Sequence, residues 1–198
     1  GRGGSHDIKG GVQLSWEGMQ LDQRRNGDYF LELRDGVPFQ AQLANTPINS
    51  DHRLETFGAF LQDRWTVGRA TFNLGVRVDG VSAYLPQQTS PAGSFVGARE
   101  FPRTDVFDFG PNVAPRLGFT YDLFGNGKTA FKAYYGRFYN QFGSEIAQAA
   151  NPNALVNQAV SWTDINGNRA LDAGELGEFP GFPRGLFPSV DSGAKRPY

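Results

Sequence analysis

Oxygen-bearing side chains recur at a regular spacing in Asp164-Ile165-Asn166-Gly167-Asn168-Arg169-Ala170-Leu171-Asp172-Ala173-Gly174-Glu175. Counting from Asp164, they stand at positions one, three, five, nine and twelve, and the Ala170 carbonyl is available at seven. This is the ligand pattern of an EF-hand loop, in which a hard cation such as calcium collects six or more oxygens and a bidentate carboxylate at twelve closes the shell. The candidate metal residues are therefore Asp164, Asn166, Asn168, Ala170, Asp172 and Glu175. One departure stands out: Arg169 sits where a glycine usually makes the sharp bend, although Gly167 lies two residues earlier. The flanks are not helical either, since Ser161-Trp162-Thr163 reads as extended and Phe179-Pro180 breaks regular structure. The alternative is a solvated Asx-rich turn, because Asp, Asn and Gly dominate turns anyway.

Other residues that could carry chemistry point to less. Gly127-Lys128-Thr129 imitates the tail of a phosphate-binding loop, but the leading glycine of that motif would fall on Asp122, whose charge repels phosphate. A hairpin turn explains these residues better. His6 and His52 are the only histidines, far apart in sequence and each beside an acid, Asp7 and Asp51. Solvated loop or strand-end positions are expected for both. There is no nucleophile elbow, no zinc-protease helix and no cysteine. The expectation is a protein that is not an enzyme.

The elements that position these residues are strands. Phe57 to Asp79 reads as two antiparallel strands joined by the turn Thr66-Val67-Gly68-Arg69. In the second, Phe72, Leu74, Val76 and Val78 point one way, and Thr71, Asn73, Gly75, Arg77 and Asp79 the other. Gly10 to Leu21, Asp28 to Arg34 and Phe39 to Leu43 precede this hairpin. Pro115 to Leu123 and Thr129 to Phe142 follow it, with a further strand near Val156 to Trp162. No run approaches the ~20 apolar residues of a spanning helix. Aromatics reach 14% while mean hydropathy stays negative, which suits strands that are apolar on one face only. The net charge of -1 gives no bulk attraction to nucleic acid.

Alternation alone fits a soluble sandwich with its apolar face inward or a membrane barrel with that face toward lipid. Connection length separates the two. Asp35-Gly36, Thr66 to Arg69 and Gly125 to Lys128 are short, whereas 22–27, 45–53, 86–112 and 143–198 are longer. An up-and-down meander then places every short turn on one edge and every long loop on the other, as outer-membrane barrels do. On this reading Arg77, Asp79, Arg116, Asp122 and Lys132 form a lumenal charge network. Trp16, Trp65, Tyr84, Tyr121, Tyr135 and Tyr139 either supply an interfacial girdle or pack a core.

Gln62-Asp63-Arg64-Trp65 and Asn73-Leu74-Gly75-Val76-Arg77-Val78-Asp79 resemble a TonB-dependent outer-membrane receptor, in particular the Oar-like group. Ala114 to Asp122, Gly125 to Thr129 and Tyr134 to Tyr139 resemble that group's next hairpin, so the likeness covers roughly residues 6 to 198. The resemblance implies a carboxypeptidase-like domain, a plug and a 22-stranded barrel in the parent. Residues 1–198 are then a partial all-β barrel domain of about seven strands, without plug or signal peptide and unable to insert alone. It also implies the cell outer membrane of a Gram-negative-type bacterium, contact with outer-membrane lipid and a TonB energy complex acting through the plug. Loops 86–112 and 143–198 would touch an unknown transported ligand. The other reading is a soluble or cell-surface β-sandwich adhesion module with a calcium-stabilised loop, which would bury Phe72, Leu74, Val76 and Val78 against a second sheet.

Overall fold

The computed structural model describes residues 3–183, 191 and 194–197. In chain order the elements are β1 (Ser5–Gln23), β2 (Tyr29–Arg34), β3 (Val37–Ala44), β4 (Ile48–Val67), β5 (Ala70–Leu85) and β6 (Gln88–Ser90). They continue with β7 (Arg99–Phe101), β8 (Thr104–Asp122), β9 (Ala130–Gly136), α1 (Glu145–Ala149) and β10 (Asn157–Ser161). A five-stranded antiparallel wall runs in the order β1-β4-β5-β8-β9. Its register is unbroken between β1 and β4, from Ser5 opposite Thr66 to Gln23 opposite Ile48. Because those two strands pair along their whole length, β2 and β3 are left outside the wall and join β10 in a separate three-stranded sheet. β6 and β7 form a small hairpin of their own.

The wall follows from the alternation and its register. Residues directly opposite in neighbouring strands share a face, so Trp65, Leu61 and Phe57 of β4 stand beside Phe72, Val76 and Gly80 of β5. Phe119, Leu117 and Val113 of β8 stand beside Phe72, Leu74 and Val78. On this face the apolar stretch runs from Ile8 to Trp16 on β1, Phe57 to Trp65 on β4 and Val113 to Tyr121 on β8. Each stretch matches the ~9–11 residues of a membrane strand. The strands themselves are longer, with 19 residues in β1 and β8 and 20 in β4. At ~3.3 Å per residue each spans about 60 Å, well beyond an apolar band ~25 Å tall even when tilted.

Above the band the two faces exchange character. The apolar face turns polar through Glu55, Arg53 and Asp51 of β4 and Ser82 of β5. The polar face, which carries Asn73, Arg77 and Asp79 lower down, becomes Val81, Ala83 and Leu85. Those residues form a core with Leu54, Phe107 and Ala147, against which Phe109, Phe142 and Ile146 also pack. The exchange falls where the register of β5 and β8 shifts, between Asp79 and Val81. Gly80 and Gly110 face each other there, and a Cβ on Gly110 would come within 2.8 Å of the Gly80 Cα. Glycine is needed for that approach.

The topology corrects several expectations. Five strands, not seven, build the described wall, and the Asp35-Gly36 turn caps the β2–β3 hairpin on the long-connection side. Thr66 to Arg69 and Gly125 to Lys128 remain the turns of the short edge. The 86–112 loop is shorter, because 104–112 belongs to β8, and β9 ends at Gly136 rather than near Phe142. Residues 184–190, 192, 193 and 198 of the 143–198 loop lie outside the described residues. Among the described residues no second sheet packs on the apolar face: Val12 is 81% exposed, Leu61 57% and Leu117 46%. The sandwich reading fails on this point.

A charge placed on that face therefore has nothing to pair with in lipid. Val76→Arg is expected to destabilise the wall by ~2–4 kcal/mol, and Asn73→Arg, three residues away on the polar face, by far less. Denaturant unfolding of the lipid-reconstituted protein measures both, and equal costs would refute the assignment of faces.

Candidate functional site

On the polar face of the wall, Arg77 Nε donates to Asp79 Oδ1 at 2.6 Å, and Arg77 Nη2 reaches Gln13 Oε1 at 3.5 Å. Gly58 makes room for this pair, since a Cβ there would collide with the Arg77 guanidinium and Asp79 Oδ1. The pair lines a recess of about 110 Å³ with Ser15, Glu17, Gln141 and Arg196. Phe142 closes its upper side and belongs to the segment that carries α1 back over the wall. Arg196 is held by a hydrogen bond from Nε to the Asn140 carbonyl at 2.9 Å. Arg116 and Lys132 share this face through the register of β5, β8 and β9. Asp122 does not join the charge network: its oxygens accept from Gly125 N at 3.0 Å and Gly127 N at 2.9 Å. The carboxylate thus occupies the amides that a phosphate would need, which completes the case for a hairpin turn.

Beyond the band, side chains take over the ladder. The upper edge of β4 lacks a strand neighbour on the β5 side, yet its backbone groups are satisfied. Asn49 N donates to Ser90 Oγ at 3.1 Å and Asp51 N to Gln88 Oε1 at 2.8 Å. The Asp51 and Asn49 carbonyls accept from Asn151 Nδ2 at 3.1 Å and Asn153 Nδ2 at 2.7 Å. Gln88, Ser90, Asn151 and Asn153 are all buried. A buried backbone N–H or C=O needs a partner, so these side chains bolt β6 and the 151–153 strap to the wall. Asn45 extends the fastening by accepting from Val156 N at 2.8 Å and donating to the Ala154 carbonyl at 3.0 Å.

Asp28 is a second fastener. Its Oδ1 accepts from Thr46 Oγ1 at 2.6 Å and its Oδ2 from Ser94 N at 2.7 Å, which ties the loop after β6 to the turn before β4. Between that loop, β7, the 152–156 strap and residues 181–183 lies a cavity of about 640 Å³. Both long connections expected to meet a ligand contribute to it, although Asn45 also lines it from the turn between β3 and β4.

The 164–175 loop is a closed turn. A bridge from Trp162 to Leu176 ties its ends. Asp164 Oδ1 and Asn166 Oδ1 converge on Asn168 N at 3.1 and 3.0 Å, and Asp164 Oδ2 accepts from Arg169 N at 3.0 Å. Asn168 Oδ1 accepts from Ala170 N at 2.7 Å. Glu175, 4% exposed, accepts from Ile165 N at 2.9 Å and Asp172 N at 3.0 Å. Hydrogen bonds from Asn166 and Asn168 hold the Asp172 carboxyl below its ordinary pKa. Arg169 adopts φ 58°, the left-handed bend expected of glycine. Among the described residues no three His, Asp or Glu side chains cluster as metal ligands do, so any cation shell here would draw on amide and carbonyl oxygens.

The histidines differ from each other. His6 begins β1 with Nδ1 2.6 Å from Asp63 Oδ2, and its ring stacks on Trp65. His52 is 1% exposed and not solvated; β4 carries it past the band on the face that turns inward. A belt crosses the short-turn end of the wall from Trp65 to Phe72 to Phe119, and on to Tyr121 and Phe131. Phenylalanines build most of this belt, whereas a girdle is signalled in sequence by Trp and Tyr. Trp16 marks the opposite border of the band on β1, while Tyr84 lies above it and donates to Glu55 Oε1 at 3.3 Å.

Burial raises the Asp28 carboxyl, but the Ser94 and Thr46 hydrogen bonds and the Arg25 charge outweigh it and hold the pKa below the ordinary value. A depressed folded-state pKa stabilises above the unfolded pKa and is lost as pH falls through the folded one. The 93–96 loop is therefore expected to stay protected at neutral pH and to open below the ordinary carboxylate range. Hydrogen exchange followed against pH measures this, and Asp28→Asn should expose the loop at pH 7 as well.

Comparison with curated proteins and with solved structures gives no match. A family model described as an outer membrane beta barrel domain matches residues 3–195. The exposed apolar band, the polar opposite face and the turn asymmetry are the features such a domain requires, and the chain belongs to the outer membrane beta barrel domain family, as a segment of barrel wall in the outer membrane.

Proposed function

We propose that this wall is a sector of a TonB-dependent outer-membrane receptor of the Oar-like kind, which binds a ligand on its outer side and passes it through a gated, plugged barrel. One observation carries the reading: β1 and β9 are the open edges of the wall, while its strands overshoot the membrane and hold a folded assembly above it. Unpaired strand edges cannot stand in hydrocarbon, so the wall must continue in a wider barrel. The segments that resemble the receptor group, Gln62 to Trp65, Asn73 to Asp79 and Ala114 to Asp122, fall on adjacent strands β4, β5 and β8. Short turns then face the periplasm and the cavity-bearing connections face outward. No covalent step is involved; binding is followed by passage, with an inner-membrane energy complex releasing the ligand through the plug. In cells lacking that energy complex, uptake should stop while ligand binding at the surface persists. Uptake that continues undiminished would refute the reading.

In this reading the 164–175 loop is an outer-face calcium site. Support comes from the left-handed Arg169, the convergence of Asp164 and Asn166 oxygens, and the ionised Asp172. Calcium would replace internal hydrogen bonds at Asp164, Asn166, Asn168 and Asp172 and add the Ala170 carbonyl and Glu175. Calorimetric titration with calcium chloride should show binding heat in the wild type and none in Asp164→Asn. A wild type without heat sinks the assignment.

A further inference from the structure

β7 hangs on β6 in register, Arg99 opposite Ser90 and Phe101 opposite Gln88. Gln88 and Ser90 are bolted to the wall, so the position of β7 is fixed. With a strand period of two, Arg99 and Phe101 project together, and both line the 640 Å³ cavity while Glu100 between them does not. The facing walls are Pro152 and Val156 of the strap, pinned through Asn153 and Asn45, and Phe182 beyond it. Phe95 and Val96 close the remaining side on the loop that Asp28 secures. The cavity is thus preformed. Its size falls within the ~300–1,000 Å³ of small-molecule sites, and a mostly apolar lining with few polar groups is their usual composition.

Arg99 supplies the polar group. Its Nη2 donates to the Pro47 carbonyl at 2.7 Å, which holds the guanidinium in place. Its Nε is buried without an acceptor. None of the ion pairs among the described residues includes Arg99. Burial alone lowers its pKa, with no acidic neighbour opposing the effect. A partly buried cation without a counter-charge is unfavourable and is relieved by an anion. A guanidinium is the side chain best suited to take a carboxylate in two parallel hydrogen bonds.

We propose that this cavity binds a small organic carboxylate with an aromatic or branched apolar body, the carboxylate on Arg99 and the body against Phe95, Phe101, Val156 and Phe182. A cationic ligand would be repelled by Arg99. A polyhydroxylated one would leave its hydroxyls unpaired against phenylalanine, valine and proline. The inference rests on the receptor reading for its biological meaning, but its test does not.

The whole protein in lipid nanodiscs is titrated with 2-naphthoate and with neutral 2-naphthamide, with empty nanodiscs subtracted. The expected result is saturable naphthoate binding about tenfold tighter than naphthamide. Arg99→Gln should remove that tenfold preference, and Arg99→Lys should restore part of it. Phe101→Ala should weaken both probes alike, and unchanged heat-modifiability on gels shows that each variant is folded. Equal affinity for the two probes, an undiminished preference in Arg99→Gln, or no saturable binding would overturn the proposal. Binding that obeys these rules while uptake ignores the energy complex would instead leave the cavity standing and remove the transporter.

Discussion

Hydrocarbon offers no hydrogen bonds, so a strand that crosses it must pair both of its backbone edges and keep polar side chains off one face for as long as the lipid lasts. Every other feature of this wall answers to that constraint. β1, β4 and β8 hold an apolar face only for the stretch a bilayer requires, then exchange it. Below the exchange, Val76 and Leu117 face outward and Arg77 and Arg116 face a wet interior. Above it, Leu54, Val81 and Phe107 face inward beneath α1, and Glu55, Arg53 and Asp51 face out. The same strands thus serve two solvents, with a backbone approach at Gly80 and Gly110 at the change.

Where the constraint lapses, the means of satisfying the backbone changes too. Between its edge strands β1 and β9 the lower wall uses strand neighbours throughout. Its one carboxylate on the lipid-side face, Asp63, sits at the border beside Trp65 and takes His6 as partner. The upper edge of β4 is served by amide and hydroxyl side chains from Gln88, Ser90, Asn151 and Asn153. Side chains reach a ladder from any direction, and that freedom lets a loop hairpin and a strap converge on one strand.

Much of the wall is legible in sequence because its signals are local. Phe72 to Val78 alternates cleanly, and the turns at Thr66 to Arg69 and Gly125 to Lys128 lie where their residues demand. Partner choice is not local, and the sequence hides it. Tyr29, Leu31 and Leu33 alternate like a wall strand, and Asp35-Gly36 turns like a wall turn, yet the long pairing of β1 with β4 excludes them. Thr104 to Phe109 resembles a loop in sequence because register shifts near Gly80 and Tyr84 break its phase and because its apolar side points inward. Asn151, Asn153 and Arg99 gave no signal at all: each takes its meaning from residues far away in the chain. In the 164–175 loop the turn closes locally, with Asp164 accepting from Asn168 N and Arg169 N and Arg169 in the left-handed bend.

The two zones also differ in what holds them. The outward residues of the lower wall, Val12, Leu61 and Leu117 among them, have no protein cover and depend on lipid for their burial. The upper zone owns its cores, one under α1 and another where Ala41, Leu43, Val160 and Trp162 meet Phe95 and Phe179. The strap from Phe142 to Val156 links them to the wall: Phe142 closes the lumenal recess, Asn151 and Asn153 bind β4, and Pro152 and Val156 line the outer cavity. Removing lipid therefore attacks the band first, whereas removing a fastener such as Asn151 attacks the strap that both the recess and the cavity share. Local stability in such a structure follows the number of buried contacts and fasteners in each zone, and here the zone that carries the 640 Å³ cavity is the one the bilayer does not support.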